Sequence, residues 1–374
     1  MKAESIPTDV LNRERIYAAD LIRCVSLYMV IAWHFFSYSG YNEEPVNSKL
    51  LYLMTVIRVV VNACVPSFMT LSGFLMCKKK LSAKYYTGLI RILVIYIVCG
   101  LMCIGFRIVC LKYPYTGFQV FRELIGYSAA PYGWYVEMYI TMFLLIPFFN
   151  VLYNNLPDQK TKRILIWTLI FATAMPGVVN TFEWQTPGWW LYPQYSGDHV
   201  KMIPGWWINS FPITYYFLGC YLREFKWKHG RLVSLFLAVA SFIITGTYCW
   251  YRSGEFPLRV GDWLQYESLI ILVNIVVIFG FFQSLHYEKW PRWLLKLAEV
   301  SSECCFAGFM LSWIFDFQLY TWLNQNIMIT HEKMFYFPLV TITCFIGSLV
   351  LSFPVTYLYK IADRRVRKAF AGKQ

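Results

Sequence analysis

Residues 16–38 read IYAADLIRCVSLYMVIAWHFFSY. A bilayer span needs ~20 mostly apolar residues, and this run is long enough. It nevertheless contains Asp20, Arg23 and His34. Ionisable side chains inside a span are costly, face the bundle interior and mark function. Arg23 and His34 are eleven residues apart. At ~100° per residue that spacing returns to nearly the same helix face, and at 1.5 Å rise it separates them by ~16 Å along the axis. Asp20 precedes Arg23 by three residues and lies on the same side. One face of the first helix therefore presents three polar groups in a row.

The rest of the chain has the same character. Of 374 residues, 58% are hydrophobic, 20% aromatic and 15% charged. Soluble domains are about a quarter charged and half apolar, and the mean hydropathy here is positive. Ten candidate spans follow, at 16–38, 50–76, 88–110, 134–153, 163–182, 206–222, 232–250, 263–284, 301–320 and 336–360. No loop between them is long enough for a soluble domain, so residues 1–374 are expected to form one membrane-embedded domain. The fold class expected is all-α, a polytopic helical bundle. The polar start and the long first apolar run are not those of a cleavable signal peptide.

Lys and Arg set the orientation. With the N-terminus cytoplasmic, 23 of them fall in inside segments and 7 in outside loops. This alternation places both termini inside. It also explains the net charge of +13 without nucleic acid, because the basic residues sit in short clusters between apolar runs. The eleven cysteines lie mostly in apolar runs without metal-ligand spacing, so neither disulfides nor a metal are expected. There is no internal repeat of the kind that inverted-repeat transporters carry.

Other ionisable residues in the spans are Arg58, Arg91, Arg107, Glu137, Glu267 and Asp316. Arg58 and Arg107 are expected to pair with buried acids. Arg23 has a second reading, as a snorkelling side chain with Asp20 as counter-ion, and His34 has one as a core residue satisfied by a hydrogen bond. The outer loop EWQTPGWWLYPQYSGDHVKMIPG (183–205) is crowded with aromatics, including Trp189 and Trp190. It reads either as an interfacial belt or as a stacking platform for a flat-faced acceptor.

Five ordered elements resemble the acyltransferase-3 family of membrane acyltransferases. DLIRCVSLYMVIAWH (20–34) is similar to its opening helix, with Arg, ten residues, then His. VPSFMTLSGFLM (65–76) is similar to its second helix, ending in Ser72-Gly73-Phe74. KKKLSAKYYTGLIRILVIY (78–96) resembles its basic loop and Arg-bearing third helix, YGWYVEMYITMFLLIPFFN (132–150) its Trp-aromatic helix, and YYFLGCYLRE (215–224) its later Gly-containing span. Gly88 stands where members often have the first of two Arg, so a paired-Arg phosphate clamp is in doubt. Phe309 and Ser312 stand where members often have Tyr and His, so no second His role is claimed.

The resemblance implies transfer of an acyl group, usually acetyl from acetyl-CoA, to a hydroxyl of a sugar or other cell-envelope molecule, in a bacterial plasma membrane. Coenzyme A is cytoplasmic and bears phosphates, so Arg23 and Arg91 near the inner face are suited to it, with Asp20 and Ser72 completing the donor site. His34 and Arg23 are the candidate catalytic residues, with His34 as general base; a covalent acyl-His intermediate is an alternative. Trp134, Glu137, Trp189 and Trp190 are the candidate acceptor-binding residues. The competing reading is a transporter or flippase of sugar or acyl intermediates. A non-catalytic scaffold is a third reading, opposed by the polar face of the first helix.

Overall fold

The computed structural model describes residues 15–182, 187, 201–254 and 256–371, with side chains as far as Asp363. The described residues are helical, with no strand beyond an isolated bridge between Pro45 and Pro257. The helices are α1 (Tyr17–Tyr38), α2 (Lys49–Val61), α3 (Cys64–Met76), α4 (Ala83–Tyr86), α5 (Gly88–Val109), α6 (Gly117–Ile125), α7 (Trp134–Asn154) and α8 (Gln159–Thr173). They continue with α9 (Pro176–Val179), α10 (Phe211–Glu224), α11 (Arg231–Ser253), α12 (Leu269–Gln283), α13 (Arg292–Asn326), α14 (Thr330–Lys333) and α15 (Phe337–Ala371).

Seven helical stretches among the described residues are long and apolar enough to cross a membrane: Tyr17–Tyr38, Lys49–Met76, Ala83–Val109, Trp134–Asn154, Arg231–Ser253, Asp262–Gln283 and Thr330–Asp363. Each coincides with one of the ten expected spans. The other three fall on α8, α10 and α13. With 15 and 14 residues, α8 and α10 are shorter than the ~20 a span requires. At 35 residues α13 is long enough, but Ser301, Ser302, Ser312, Asp316 and Gln318 make its middle polar.

The bundle is built around α1, which packs against α13, α3 and α15. Arg23 and His34 of α1 contact Ser302 and Asp316 of α13 in the same order along both helices, so α1 and α13 are parallel. The last helix runs the other way. Cys344 meets Asp316, whereas Lys360 meets Glu303 one end of the bundle away. Arg15 also pairs with Glu299 (3.2 Å) and Glu303 (3.7 Å). The start of α1 and the later part of α15 therefore lie at the same end of the bundle.

Glycines set the closest helix contact. A Cβ at Gly73 would sit 1.9 Å from the Tyr216 carbonyl oxygen, and one at Gly219 would sit 1.9 Å from that of Thr70. Lipid offers no hydrophobic drive between helices, so such small residues let α3 and α10 gain dispersion contacts by close approach. Gly219→Ala is expected to cost at least ~1–3 kcal/mol of overpacking, read as a lower thermal midpoint in detergent. An unchanged midpoint would refute this contact.

Candidate active site

The His34 end of α1 faces α13. His34 Nδ1 lies 2.8 Å from Asp316 Oδ2. Both side chains are buried, 7% and 1% exposed. A carboxylate can only accept, so the imidazole proton is assigned to Nδ1 and the lone pair to Nε2. Two further donors fix the carboxylate: the Tyr132 hydroxyl donates to Oδ2 at 2.6 Å, and the Cys344 thiol donates to Oδ1 at 3.1 Å. The Tyr132 ring also stacks on the imidazole, with centroids 4.0 Å apart and planes 25° from parallel. Charge-assisted bonds of this kind hold a side chain more firmly than neutral ones. With Nδ1 held by the carboxylate, Nε2 is the ring nitrogen left to accept a proton.

The Arg23 end is built differently. Arg23 Nη1 donates to Ser302 Oγ at 2.6 Å, and Ser302 Oγ donates to Asp20 Oδ1 at 2.7 Å. The direct Arg23–Asp20 separation is 3.8 Å. Asp20 is engaged chiefly by Arg15, at 2.7 Å and 3.2 Å. Asp20 reaches Arg23 through Ser302, and Arg15 takes the closer contact. The Arg23 side chain remains 29% exposed.

A cavity of about 220 Å³ reaches Asp316 from the His34 end of the bundle. Tyr38, Thr321 and Asn324 form its exposed mouth, and Trp313 and Phe317 its walls. Asp316 and Tyr320 are its buried floor. Asn324 braces the mouth by donating to the Tyr38 carbonyl (2.9 Å) and accepting from Lys333 (2.8 Å).

A family model described as an acyltransferase domain, that of the acyltransferase-3 family, matches residues 16–358. The chain belongs to the acyltransferase-3 family. It is accordingly a membrane acyltransferase, an enzyme that transfers groups other than amino-acyl groups. The seven apolar helices among its described residues, together with its family, mark it as an integral membrane protein. No curated protein and no solved structure gives a match.

The remaining expected residues of this acyltransferase are spread out. Arg91 is exposed, 5.8 Å from the Tyr359 ring centroid. Ser72 donates within its own helix to the Phe68 carbonyl at 2.9 Å. Trp134 is 44% exposed and stacks on Tyr266 with centroids 6.4 Å apart. Glu137 is exposed, and its side chain has no hydrogen bond or ion pair among the described residues. Trp189 and Trp190 lie outside the described residues.

The two arginines expected to meet buried acids are placed otherwise. Arg107 pairs at 2.8 Å with Glu123 of the short helix α6, outside the spans. Arg58 meets no acid among the described residues. It is buried over the rings of Trp33 (5.0 Å) and Phe36 (6.0 Å), and donates to Asn62 Oδ1 at 3.1 Å. Here cation–π attraction takes the place of the counter-ion.

Sequence reading also missed partners. Asp316 stands out as an acid in an apolar run, yet nothing local connects it to a His 282 positions away. Tyr132 and Ser302 have no sequence signal of their own, because Tyr and Ser are cheap in helices and loops alike.

Proposed function

We propose that this membrane acyltransferase moves an acetyl group from cytoplasmic acetyl-CoA to a hydroxyl of a cell-envelope or exported carbohydrate, with His34 as general base and Asp316 as its positioning residue. The buried His34–Asp316 contact of 2.8 Å carries the reading. His34 Nε2 takes the proton of the acceptor hydroxyl as the oxygen attacks the thioester carbonyl. The tetrahedral intermediate collapses with loss of the CoA thiolate, which regains the proton from the imidazolium. The products are an acyl ester and CoA-SH. During the step Asp316 balances the transient charge on the ring.

Arg23 binds the donor from the opposite end of α1. Its exposed guanidinium, steadied by Ser302, suits a phosphate of CoA, and the pantetheine arm spans the ~16 Å to His34. Arg91, Ser72 and Asp20 complete the donor side, and Trp134, Glu137, Trp189 and Trp190 the acceptor side. The proposed setting is a bacterial plasma membrane, with the chain as one domain, both termini cytoplasmic, and the seven apolar helices joined by α8, α10 and α13 to make the ten spans expected from the sequence. The Lys/Arg distribution supports this orientation, and the parallel course of α1 and α13 is what a first and a ninth span require.

The test uses purified full-length protein. Acetyl-CoA raises its thermal midpoint, and addition of envelope glycan releases CoA. Arg23→Gln raises the KM for acetyl-CoA by roughly tenfold or more, the value of a lost charge-assisted bond, and changes kcat less. A transporter or flippase gives neither the shift nor CoA release, and that result overturns the proposal.

A further inference from the structure

We infer that the cleft between the start of α11 and the α12–α13 connection binds the phosphate of an anionic membrane lipid, with Arg231, His286 and Lys289 as its donors. This site shares no residue with the acyltransfer site and does not depend on that reaction.

The cleft has a volume of about 520 Å³, within the range of ligand pockets. The start of α11 contributes Arg231, Leu232 and Val233, and the α12–α13 connection contributes His286, Lys289 and Trp290. No Asp or Glu lines it. Other cations at helix ends are neutralised: Arg15 by Glu299, Lys162 by Glu224 and Lys360 by Glu303. Arg231 and Lys289 have no such acid among the described residues, and both are exposed.

The helix end adds to this charge. Arg231 is the first residue of α11, a helix of 23 residues, and Gly230 before it makes no side-chain cap. The first-turn N–H groups are therefore left for other acceptors. A cation at this end also opposes the positive pole of the helix dipole. An anion in the cleft relieves that repulsion and meets the free N–H groups at once. The guanidinium fork and the ammonium suit phosphate oxygens, and the imidazole supplies a further donor.

The surroundings favour a lipid over a soluble phosphate. Leu232 and Val233 are exposed at the rim, and exposed Phe236, Val239 and Ile243 continue from Leu232 along α11 at three- and four-residue steps. This apolar stripe faces the hydrocarbon, so a headgroup in the cleft has its acyl chains alongside. Trp290 is half-buried, as aromatic side chains at the membrane interface are. Tyr287, beside His286, has its ring 6.2 Å from that of Tyr17 at the start of α1. The cleft therefore lies at the Arg23 end of the bundle. In the orientation that the Lys/Arg distribution supports, this is the cytoplasmic face, where basic pockets between helices take anionic headgroups.

The test uses purified full-length protein in an uncharged detergent. It is titrated with dioleoylphosphatidylglycerol, net-neutral dioleoylphosphatidylcholine, inorganic phosphate or acetyl-CoA, and binding is read by native mass spectrometry and thermal midpoint. Wild type is expected to retain phosphatidylglycerol and gain thermal midpoint with it, and to do neither with phosphatidylcholine. Arg231→Gln combined with Lys289→Gln is expected to weaken phosphatidylglycerol binding by roughly tenfold to a hundredfold, the worth of two surface cations. Lys79→Gln combined with Lys80→Gln removes the same charge from the exposed α3–α4 loop and is expected to leave binding within twofold. All four side chains are exposed, so both variants are expected to keep the lipid-free midpoint. Unchanged binding in the cleft variant, equal loss in both variants, equal retention of phosphatidylcholine, or displacement of the lipid by inorganic phosphate or acetyl-CoA at equal concentration would overturn the site.

Discussion

Asp316→Asn is expected to slow acyl transfer by about 100- to 10,000-fold, the range set by removing the carboxylate from a His–Asp arrangement. The carboxylate accepts three donors, from His34, Tyr132 and Cys344. An amide offers one accepting oxygen and turns a donating NH2 towards the others. One donor then loses its partner, at ~1–3 kcal/mol. The imidazole is freed to take the other tautomer, and its protonated form loses its counter-charge. The expected signature is a fall in kcat with the KM for acetyl-CoA little changed, because Arg23 lies at the other end of α1. Steady-state kinetics of CoA release measures both. Near-wild-type kcat in Asp316→Asn would show that the carboxylate does not set the imidazole.

His34→Ala is expected to have at least as large an effect, because it removes the base itself. General base catalysis contributes about 100- to 10,000-fold. The change leaves Asp316 with Tyr132 and Cys344 as partners, so its carboxylate is not stranded. The variant is therefore expected to fold, to retain the acetyl-CoA-dependent rise in thermal midpoint, and to lack acyl transfer. Loss of the midpoint shift would mean that His34 holds the donor rather than taking a proton.

Much of the frame was legible in the sequence, for a physical reason. Lipid imposes a length and a polarity on each span, so Tyr17–Tyr38, Arg231–Ser253 and the other apolar helices announce themselves. The α-helical period put Arg23 and His34 on one face, and both turn towards α13. The same rules fail where a helix is shielded by neighbours. Residues 214–220 of α10 are all buried, and α13 tolerates Asp316 because His34, Tyr132 and Cys344 satisfy it.

The site was legible on one helix only. Polar residues in the first span could be read by spacing, but the partner of each lay on α13, nearly three hundred positions away. Arg58 shows the opposite limit. A buried cation suggests a buried acid, yet Trp33 and Phe36 supply the negative faces of aromatic rings instead. Glu137 and Trp134, at the head of α7, were drawn in by charge and aromaticity, and both are exposed.

The most direct measurement follows the acyl group itself. Purified full-length protein is reconstituted in lipid and given acetyl-CoA labelled in the acetyl group, together with a cell-envelope glycan extract. Wild type is expected to place the label in a base-labile ester on carbohydrate, with one CoA-SH released per ester, and His34→Ala is expected to place none. Equal labelling by His34→Ala, or no labelled ester from wild type, would contradict the account.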